Sequence, residues 1–134
     1  MRQFLGAGTR TAKLTTVRAD GRPHAAPVWF LLDGDDLVFM TLDKSVKGRN
    51  LTRDPRVCVV VDEEAPPYSF VMVEGRAEIQ SPSPDELLEW ATRIARRYVG
   101  RELADEYGRR NSVAGELLVR IKPVKVVAMR GVAD

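Results

Sequence analysis

Two Asp-Gly pairs near the start of the chain restrict the folds that are open to it. Asp20-Gly21 separates TAKLTTVR from HAAPVWFLLD, and Asp33-Gly34 separates that second run from DLVFMT. An Asp-Gly pair between apolar runs is a strong hairpin signal, because glycine readily adopts the positive φ of a tight turn. The sequence therefore predicts three antiparallel strands in chain order, at about 11–18, 24–33 and 36–41.

Two further strands are predicted in the middle of the chain. Residues 56–62, RVCVVVD, form a continuous apolar run, which is typical of a strand buried on both faces. The segment from Tyr68 to Gln80 alternates apolar and polar side chains from Glu74 onward, as a strand with one buried face does. Together with the first three, these strands predict a sheet-rich first half.

A helical period replaces the strand pattern after Ser81-Pro82-Ser83-Pro84. Apolar residues between 87 and 98 recur at the spacing of one helix face, and Ser83 is the predicted N-cap, with Pro84 at the first helical position. Gly100 interrupts this helix, and a short second helix is predicted over about 101–110.

The last segment, from about 116 to 131, returns to strand character, with a break or bulge at Pro123. Strands are thus followed by helices and then by another strand, without βαβ repetition. This order predicts a mainly β (α+β) fold, in which one domain over residues 1–134 forms an antiparallel barrel with helices packed outside it.

Composition excludes several classes of site. The formal net charge is only +2, so any basic function must be local. One histidine, His24, and one cysteine, Cys58, cannot build a structural zinc site, and we predict no metal. A single cysteine forms no intrachain disulfide, and no apolar run resembles a signal peptide or a membrane span, so a cytoplasmic location without a membrane partner is expected.

Residues 43–56, DKSVKGRNLTRDPR, are the most informative segment, since they hold five lysines and arginines. Ser45 can cap a short helix that runs to about Arg53, and Asp54-Pro55 ends it. A capped helix start presents free N–H groups and a positive dipole end, which suit a phosphate, and nearby lysines add charge-assisted hydrogen bonds. The alternative is a solvated basic helix with its apolar residues turned inward.

The remaining candidates suggest no catalytic pair. Cys58 is predicted to be inert core, and His24 a surface or pocket-wall group. The sequence holds no Gly-x-Ser-x-Gly elbow, Gly-x-x-x-x-Gly-Lys loop or Gly-x-Gly-x-x-Gly turn. The aromatic runs PVWF at 27–30 and PPYSF at 66–70 form either strand core and a loop anchor or an apolar wall for a planar ligand.

Four segments resemble, in the same order, the pyridoxamine 5′-phosphate oxidase-like proteins, which are flavin- and deazaflavin-binding split β-barrels. They are DGRPHAAPVWF, DGDDLVFMT, KSVKGRNLTRDPRV and PPYSFVMVEGRAEI, and the resemblance covers about residues 4–130. The block Lys47-x-x-Asn50-Leu51, followed by Asp54-Pro55-Arg56, is its most specific part. Within the family, the chain looks most similar to the actinobacterial oxidoreductases that use the deazaflavin coenzyme F-420, near the biliverdin reductases.

This resemblance implies a six- to seven-stranded split β-barrel (the FMN-binding split barrel) with short outer helices. It also implies a homodimer in which both subunits build each of two sites. It assigns the coenzyme phosphate and its surroundings to Ser45, Lys47 and Asn50, the ring and ribityl pocket to Pro27, Val28, Trp29 and Thr41, and contacts from the partner subunit to Tyr68 and Phe70. Lys44, Arg49 and Arg53 are expected to meet the polyglutamate tail of the coenzyme.

The function implied is hydride transfer from reduced coenzyme F-420 to an unsaturated small molecule, such as a biliverdin-like tetrapyrrole. FMN as the cofactor, and a non-catalytic protein that binds a flavin, the deazaflavin or haem, are the alternatives. Pyridoxamine phosphate oxidases proper carry a further C-terminal substrate-binding segment, so oxidation of pyridoxamine phosphate is not expected. Nucleic acid is not an expected partner, because the aromatic residues do not interleave with the cations of residues 44–56.

Overall fold

Seven strands form one antiparallel sheet in the order β2-β1-β5-β6-β7-β4-β3. The structure is a computed structural model and describes residues 1–131; the last three residues of the predicted domain, 132–134, lie outside the described residues. The elements in chain order are α1 (Arg2–Gly6), β1 (Ala12–Val17), β2 (Pro23–Val28), β3 (Leu31–Asp33), β4 (Asp36–Leu42), α2 (Val46–Arg53), β5 (Arg56–Asp62), β6 (Phe70–Gln80), α3 (Pro84–Val99), α4 (Arg101–Asn111) and β7 (Glu116–Met129).

Both Asp-Gly pairs form hairpin turns, as predicted. Gly21 and Gly34 have φ angles of 89° and 63°, and the turns join β1 to β2 and β3 to β4. The predicted strand at 24–33 is wrong in its extent, because the chain leaves the ladder at Trp29 and Phe30 and forms two strands, β2 and β3. The reason is long-range: the two halves of that run pair with different neighbours.

The break at Trp29 and Phe30 closes the sheet into a barrel. β2 and β3 are the two edge strands, and the three Cα steps from Val28 to Leu31 span at most about 11 Å, so the edges must approach each other. At the break, the Phe30 N–H donates to Tyr98 Oη at 3.2 Å, and the Phe30 carbonyl accepts from Arg97 Nη1 at 2.8 Å. Helix α3 thus pairs with backbone groups at the gap. The predicted antiparallel barrel with outer helices is confirmed.

The core lies inside this barrel, and its largest fully buried side chains are Phe30, Phe39, Leu5, Leu14, Leu37 and Ile121. Along β5, Val57, Val59 and Val61 are buried, whereas Cys58 and Val60 on the outer face are only half-buried. The prediction that β5 is buried on both faces is therefore wrong for the single chain, because its outer face keeps access to solvent.

The helix and strand ends follow local signals. Ser83 and Glu86 form a capping box at the start of α3, and the predicted irregularity at Pro123 is a register shift of β7 against β6, between the Glu74 and Gly75 positions. The short helix α1 was not predicted. No helix within residues 1–131 has the length and apolar character needed to cross a membrane.

Candidate functional site

A cavity of about 370 Å³ lies beside the gap of the barrel, between the ends of β2 and β4 and helices α3 and α4. Its size is within the usual range of small-molecule sites. Six of the nine residues predicted to bind a cofactor line this cavity together: Pro27, Val28, Trp29, Thr41, Ser45 and Lys47. The rest of the wall comes from Met40, Leu42, Ala91, Ile94, Asn111 and Glu116, which the sequence analysis did not single out.

The first turn of α2 supplies a polar end to the cavity. Ser45 Oγ accepts from the Gly48 N–H at 3.0 Å and donates to the Leu42 carbonyl at 2.7 Å. The N–H groups of Val46 and Lys47, at the first two helical positions, have no acceptor among the described residues. This helix start is held against the end of β4, since a Cβ on Gly48 would lie 2.1 Å from the Leu42 oxygen. Two free N–H groups in a fixed position suit an anion.

Lys47 and Glu116 determine the charge of that end. Among the residues that line the cavity, Lys47 is the one lysine or arginine. Partial burial is the main cause that raises the pKa of the Glu116 carboxyl; Lys47 opposes this shift and Asp43 adds to it. The Asp43 N–H donates to the Gly115 carbonyl at 2.8 Å, which holds Asp43 beside the start of β7. One cation and one carboxylate thus line this end of the cavity, and the Asp43 carboxylate lies next to them.

An aromatic side chain forms another part of the wall. Trp29 stacks on Tyr98 of α3 with ring centroids 5.1 Å apart and planes 4° from parallel, and its centroid lies 6.2 Å from that of Tyr107 of α4. Helix α4 approaches α3 closely at Gly108, where a Cβ would lie 2.1 Å from Thr92 Oγ1. The two packed helices therefore hold the Trp29 ring in one orientation at the cavity wall.

Of the residues that sequence analysis missed, Met40 and Leu42 flank the predicted Thr41 in β4, and the other four come from elements distant in the chain. Ala91 and Ile94 follow the apolar period of the first predicted helix, so the helical pattern was a signal that they face inward. Asn111 ends α4 and Glu116 begins β7, and no local pattern marks either one as part of a cavity.

Asn50 lies outside this cavity. Its side chain is buried against β1, where Nδ2 donates to Thr16 Oγ1 at 3.0 Å and Oδ1 accepts from Arg53 Nη2 at 3.1 Å. Arg53 also donates to the Val17 carbonyl. These contacts fasten α2 to β1. They also hold the Arg53 guanidinium against the end of β1, apart from the exposed cations Lys44 and Arg49.

Tyr68 and Phe70 also lie outside it. They line a separate cavity of about 490 Å³ together with Val60, Asp62, Glu63 and Glu64. Tyr68 is 43% exposed and has a φ of 60°, and its loop is closed by the Ser69 N–H, which donates to Glu63 Oε1 at 3.0 Å. The chain thus presents an exposed aromatic side chain on a loop that carries acidic residues.

His24 and Cys58 lie apart from the cavity as well. His24 pairs with Thr16 in the ladder of β1 and β2, and its Nδ1 atom is buried without a hydrogen-bond partner in the described part of the chain. The predicted core position of Cys58 is wrong, because its side chain is half-buried on the outer face of β5, where burial and the nearby Glu74 carboxylate raise the pKa of its thiol. A thiol with a raised pKa is a poor nucleophile, in line with the predicted inert role.

The residues around the cavity fit a coenzyme that joins a planar ring to a phosphate. Pro27, Val28 and Trp29 offer an apolar wall to a ring, while Lys47 and the free N–H groups of α2 offer donors to an anion. The two kinds of surface lie in one cavity, as such a molecule requires.

Comparison with known proteins identifies the family. The family model for pyridoxamine 5′-phosphate oxidase matches residues 1–129. The conserved hypothetical protein Rv2991 from Mycobacterium tuberculosis is 26% identical, with a TM-score of 0.81 over 98% of this chain and 82% of its own. An F420 reductase is also 26% identical, with a TM-score of 0.72 over 93% of this chain and 94% of its own. HutZ, the haem storage protein from Vibrio cholerae, has the same fold at 20% identity, with a TM-score of 0.72 over 92% of this chain and 89% of its own. Because the family match covers nearly all of the chain, this protein belongs to the pyridoxamine 5′-phosphate oxidase family, and its barrel is the split barrel of that family.

Proposed function

We propose that this protein is a cytoplasmic oxidoreductase that uses coenzyme F-420 and transfers a hydride from the reduced coenzyme to an unsaturated small molecule, such as a biliverdin-like tetrapyrrole. The observation that carries this proposal is one cavity that combines the Trp29 wall with the free N–H groups at the start of α2. The similarity to an F420 reductase over nearly the full length of both chains favours the deazaflavin as the cofactor.

Each predicted residue has a distinct task in this proposal. Lys47 and the N–H groups of α2 bind the coenzyme phosphate, while Ser45 holds the turn in shape, because its hydroxyl already bonds Gly48 and Leu42. Asn50 acts indirectly, by fastening α2 to β1. The exposed cations Lys44 and Arg49 are available to the carboxylates of a polyglutamate tail.

The chemistry requires little of the chain beyond binding and orientation. Reduced coenzyme F-420, when bound, supplies the hydride, so the protein needs no nucleophile and base pair. Trp29 and the apolar side chains of Val28 and Ile94 position a ring and keep water from it. Solvent supplies the accompanying proton in this proposal, and no residue of the chain is assigned as a catalytic acid.

The outer face of the sheet supports a homodimer. Val60, Met72 and Val127 lie side by side in the ladders of β5, β6 and β7 and form an apolar band that is only half-buried. Arg56 and Arg76 are opposite each other in the ladder at one end of this face, and Asp62, Glu63 and Glu64 lie at the other end, where Asp62 and Glu63 also pair with Lys13 and Arg10. A two-fold rotation places the acidic end of one copy on the basic end of the other, so the occupant we propose is a second copy of this chain.

This dimer gives Tyr68 and Phe70 their proposed role, which is to complete the site of the partner subunit. The substitution Val60→Glu places a charge in the apolar band and is expected to convert the dimer to a monomer in sedimentation experiments. The control Leu103→Glu places the same charge on an exposed leucine of α4 and should leave the dimer intact. A wild-type protein that sediments as a monomer would contradict the dimer.

A side-by-side titration tests the cofactor. The purified protein is titrated with coenzyme F-420, FMN and haem, and binding is followed by absorbance and by quenching of tryptophan fluorescence. We expect tight binding of F-420, and a loss of about tenfold or more in affinity for Lys47→Ala, because a charge-assisted hydrogen bond is removed. Arg101→Ala removes an exposed cation at the start of α4, outside the cavity lining; it is the matched control and should change affinity much less. Tight binding of haem without binding of F-420 would favour a haem-binding protein instead.

A further inference from the structure

The lining of the cavity's polar end carries one cationic and one acidic side chain, and a second carboxylate lies just outside it. Lys47 is the one cationic side chain in its lining, and the carboxyl of Glu116 lies in the same lining. Asp43 stands next to it: a Cβ on Gly115, the residue before Glu116, would lie 3.2 Å from Asp43 Oδ1. Glu116 is half-buried, and its carboxylate makes no hydrogen bond or ion pair within residues 1–131, so no direct contact neutralises its negative charge.

Such an arrangement affects anions of different charge unequally. A phosphomonoester, as in FMN, carries a charge close to −2 above its second pKa of about 6. A phosphodiester, which joins the ribityl chain of coenzyme F-420 to its tail, carries one negative charge. Repulsion from a fixed carboxylate is proportional to the charge of the ligand, so its effect on the logarithm of the affinity is twice as large for the monoester.

We propose that Glu116, assisted by Asp43, makes this site select a phosphodiester coenzyme over a phosphomonoester one. This inference rests on the proposed function, because it assumes that the phosphate of the coenzyme binds at the start of α2. Lys47 and the free N–H groups of Val46 and Lys47 attract either ligand, and the two carboxylates tolerate one negative charge there better than two. Glu116 is in this sense a specificity-determining residue and takes no part in the chemistry.

The expected size of the effect follows from Coulomb's law. In water, repulsion between two unit charges about 6 Å apart lowers the affinity of a ligand about threefold. The same repulsion lowers the affinity of a doubly charged ligand about tenfold. Removal of the Glu116 charge should therefore raise the affinity for a monoanion by some factor and the affinity for a dianion by about the square of that factor. A neutral ligand should show no change.

Three flavins with the same ring provide the test: riboflavin, FMN and the monomethyl ester of FMN. They differ at the phosphate position in carrying no charge, two charges and one charge. Affinities are measured at pH 8 by quenching of flavin fluorescence for the wild type and for Glu116→Gln, with coenzyme F-420 as a fourth ligand. Glu89→Gln, on the exposed side of α3, is the matched control, because it changes the net charge of the protein equally. Asp43→Asn should act in the same direction as Glu116→Gln.

For Glu116→Gln we expect an unchanged affinity for riboflavin, and affinities about threefold higher for the methyl ester and about tenfold higher for FMN. Equal gains for all three flavins, no gain for FMN, or the same pattern in Glu89→Gln would overturn the inference while leaving the proposed function intact. Failure of wild-type protein to bind F-420 would overturn the proposed function and this inference with it.

Discussion

The substitution Gly48→Ala tests whether the first turn of α2 must lie against the end of β4. The added Cβ would lie 2.1 Å from the Leu42 carbonyl oxygen and 3.0 Å from that of Asp43. An ordinary carbon-to-oxygen contact is at least about 3.3 Å, so the helix start must move by about 1 Å, and both obstacles are backbone atoms that cannot rotate away. Overpacking of this kind costs about 3 kcal/mol, and the better helix propensity of alanine returns about 1 kcal/mol. The expected net loss in the free energy of unfolding is about 2 kcal/mol.

Urea unfolding followed by circular dichroism measures this loss, and titration with coenzyme F-420 measures the effect on the site. Gly6→Ala in α1 is the control, because a Cβ there meets nothing within 4 Å. It should leave stability unchanged or raise it by up to about 1 kcal/mol. We also expect Gly48→Ala to weaken coenzyme binding under conditions where it remains folded, since the N–H groups of α2 are displaced. A stability within about 0.5 kcal/mol of wild type, with unchanged affinity, would refute the argument that this contact positions the site.

Two further predictions concern buried polar groups. Asn50→Ala removes the partner of the buried Thr16 hydroxyl and should lower the free energy of unfolding by about 1–3 kcal/mol in urea titrations, with a smaller loss of coenzyme affinity than Lys47→Ala causes. Equal losses of affinity in the two variants would instead indicate that Asn50 contacts the coenzyme directly. Glu116→Gln should be more stable than wild type at pH 8 and equal to it below about pH 4. The folded state raises the pKa of this carboxyl, so its ionisation lowers the stability of the wild type as the pH rises above the pKa of Glu116 in the unfolded chain. Thermal melts across pH measure this difference. A wild type that is more stable than Glu116→Gln at pH 8 would show that the charge is stabilising.

Much of the fold was predictable because its signals are local. The Asp-Gly turns need only the positive φ of one glycine each, and Ser45 and Ser83 cap helices through N–H groups three residues away. The irregularity at Pro123 follows from a missing N–H in a ladder. In each case, the atoms that decide the structure belong to residues close together in the chain.

The break of the predicted second strand shows the limit of prediction from local signals. Residues 24–33 form one apolar run in the sequence, yet Pro23–Val28 pairs with β1 and Leu31–Asp33 pairs with β4. Which strand each half pairs with depends on how the whole sheet curls. The polar groups freed at Phe30 are then met by Tyr98, which lies 68 positions later in the chain.

The sequence by itself determined most of the strands and helices, the capped basic turn and the types of side chain that a phosphate and a planar ring need, but neither helix α1 nor the break between β2 and β3. The tertiary structure decided which of those side chains share a cavity: it placed Asn50 against β1 and brought Glu116 beside Lys47. The physical reason is that capping and turn formation depend on neighbours along the chain, whereas a cavity and its charge depend on groups that only the packing of distant strands and helices brings together.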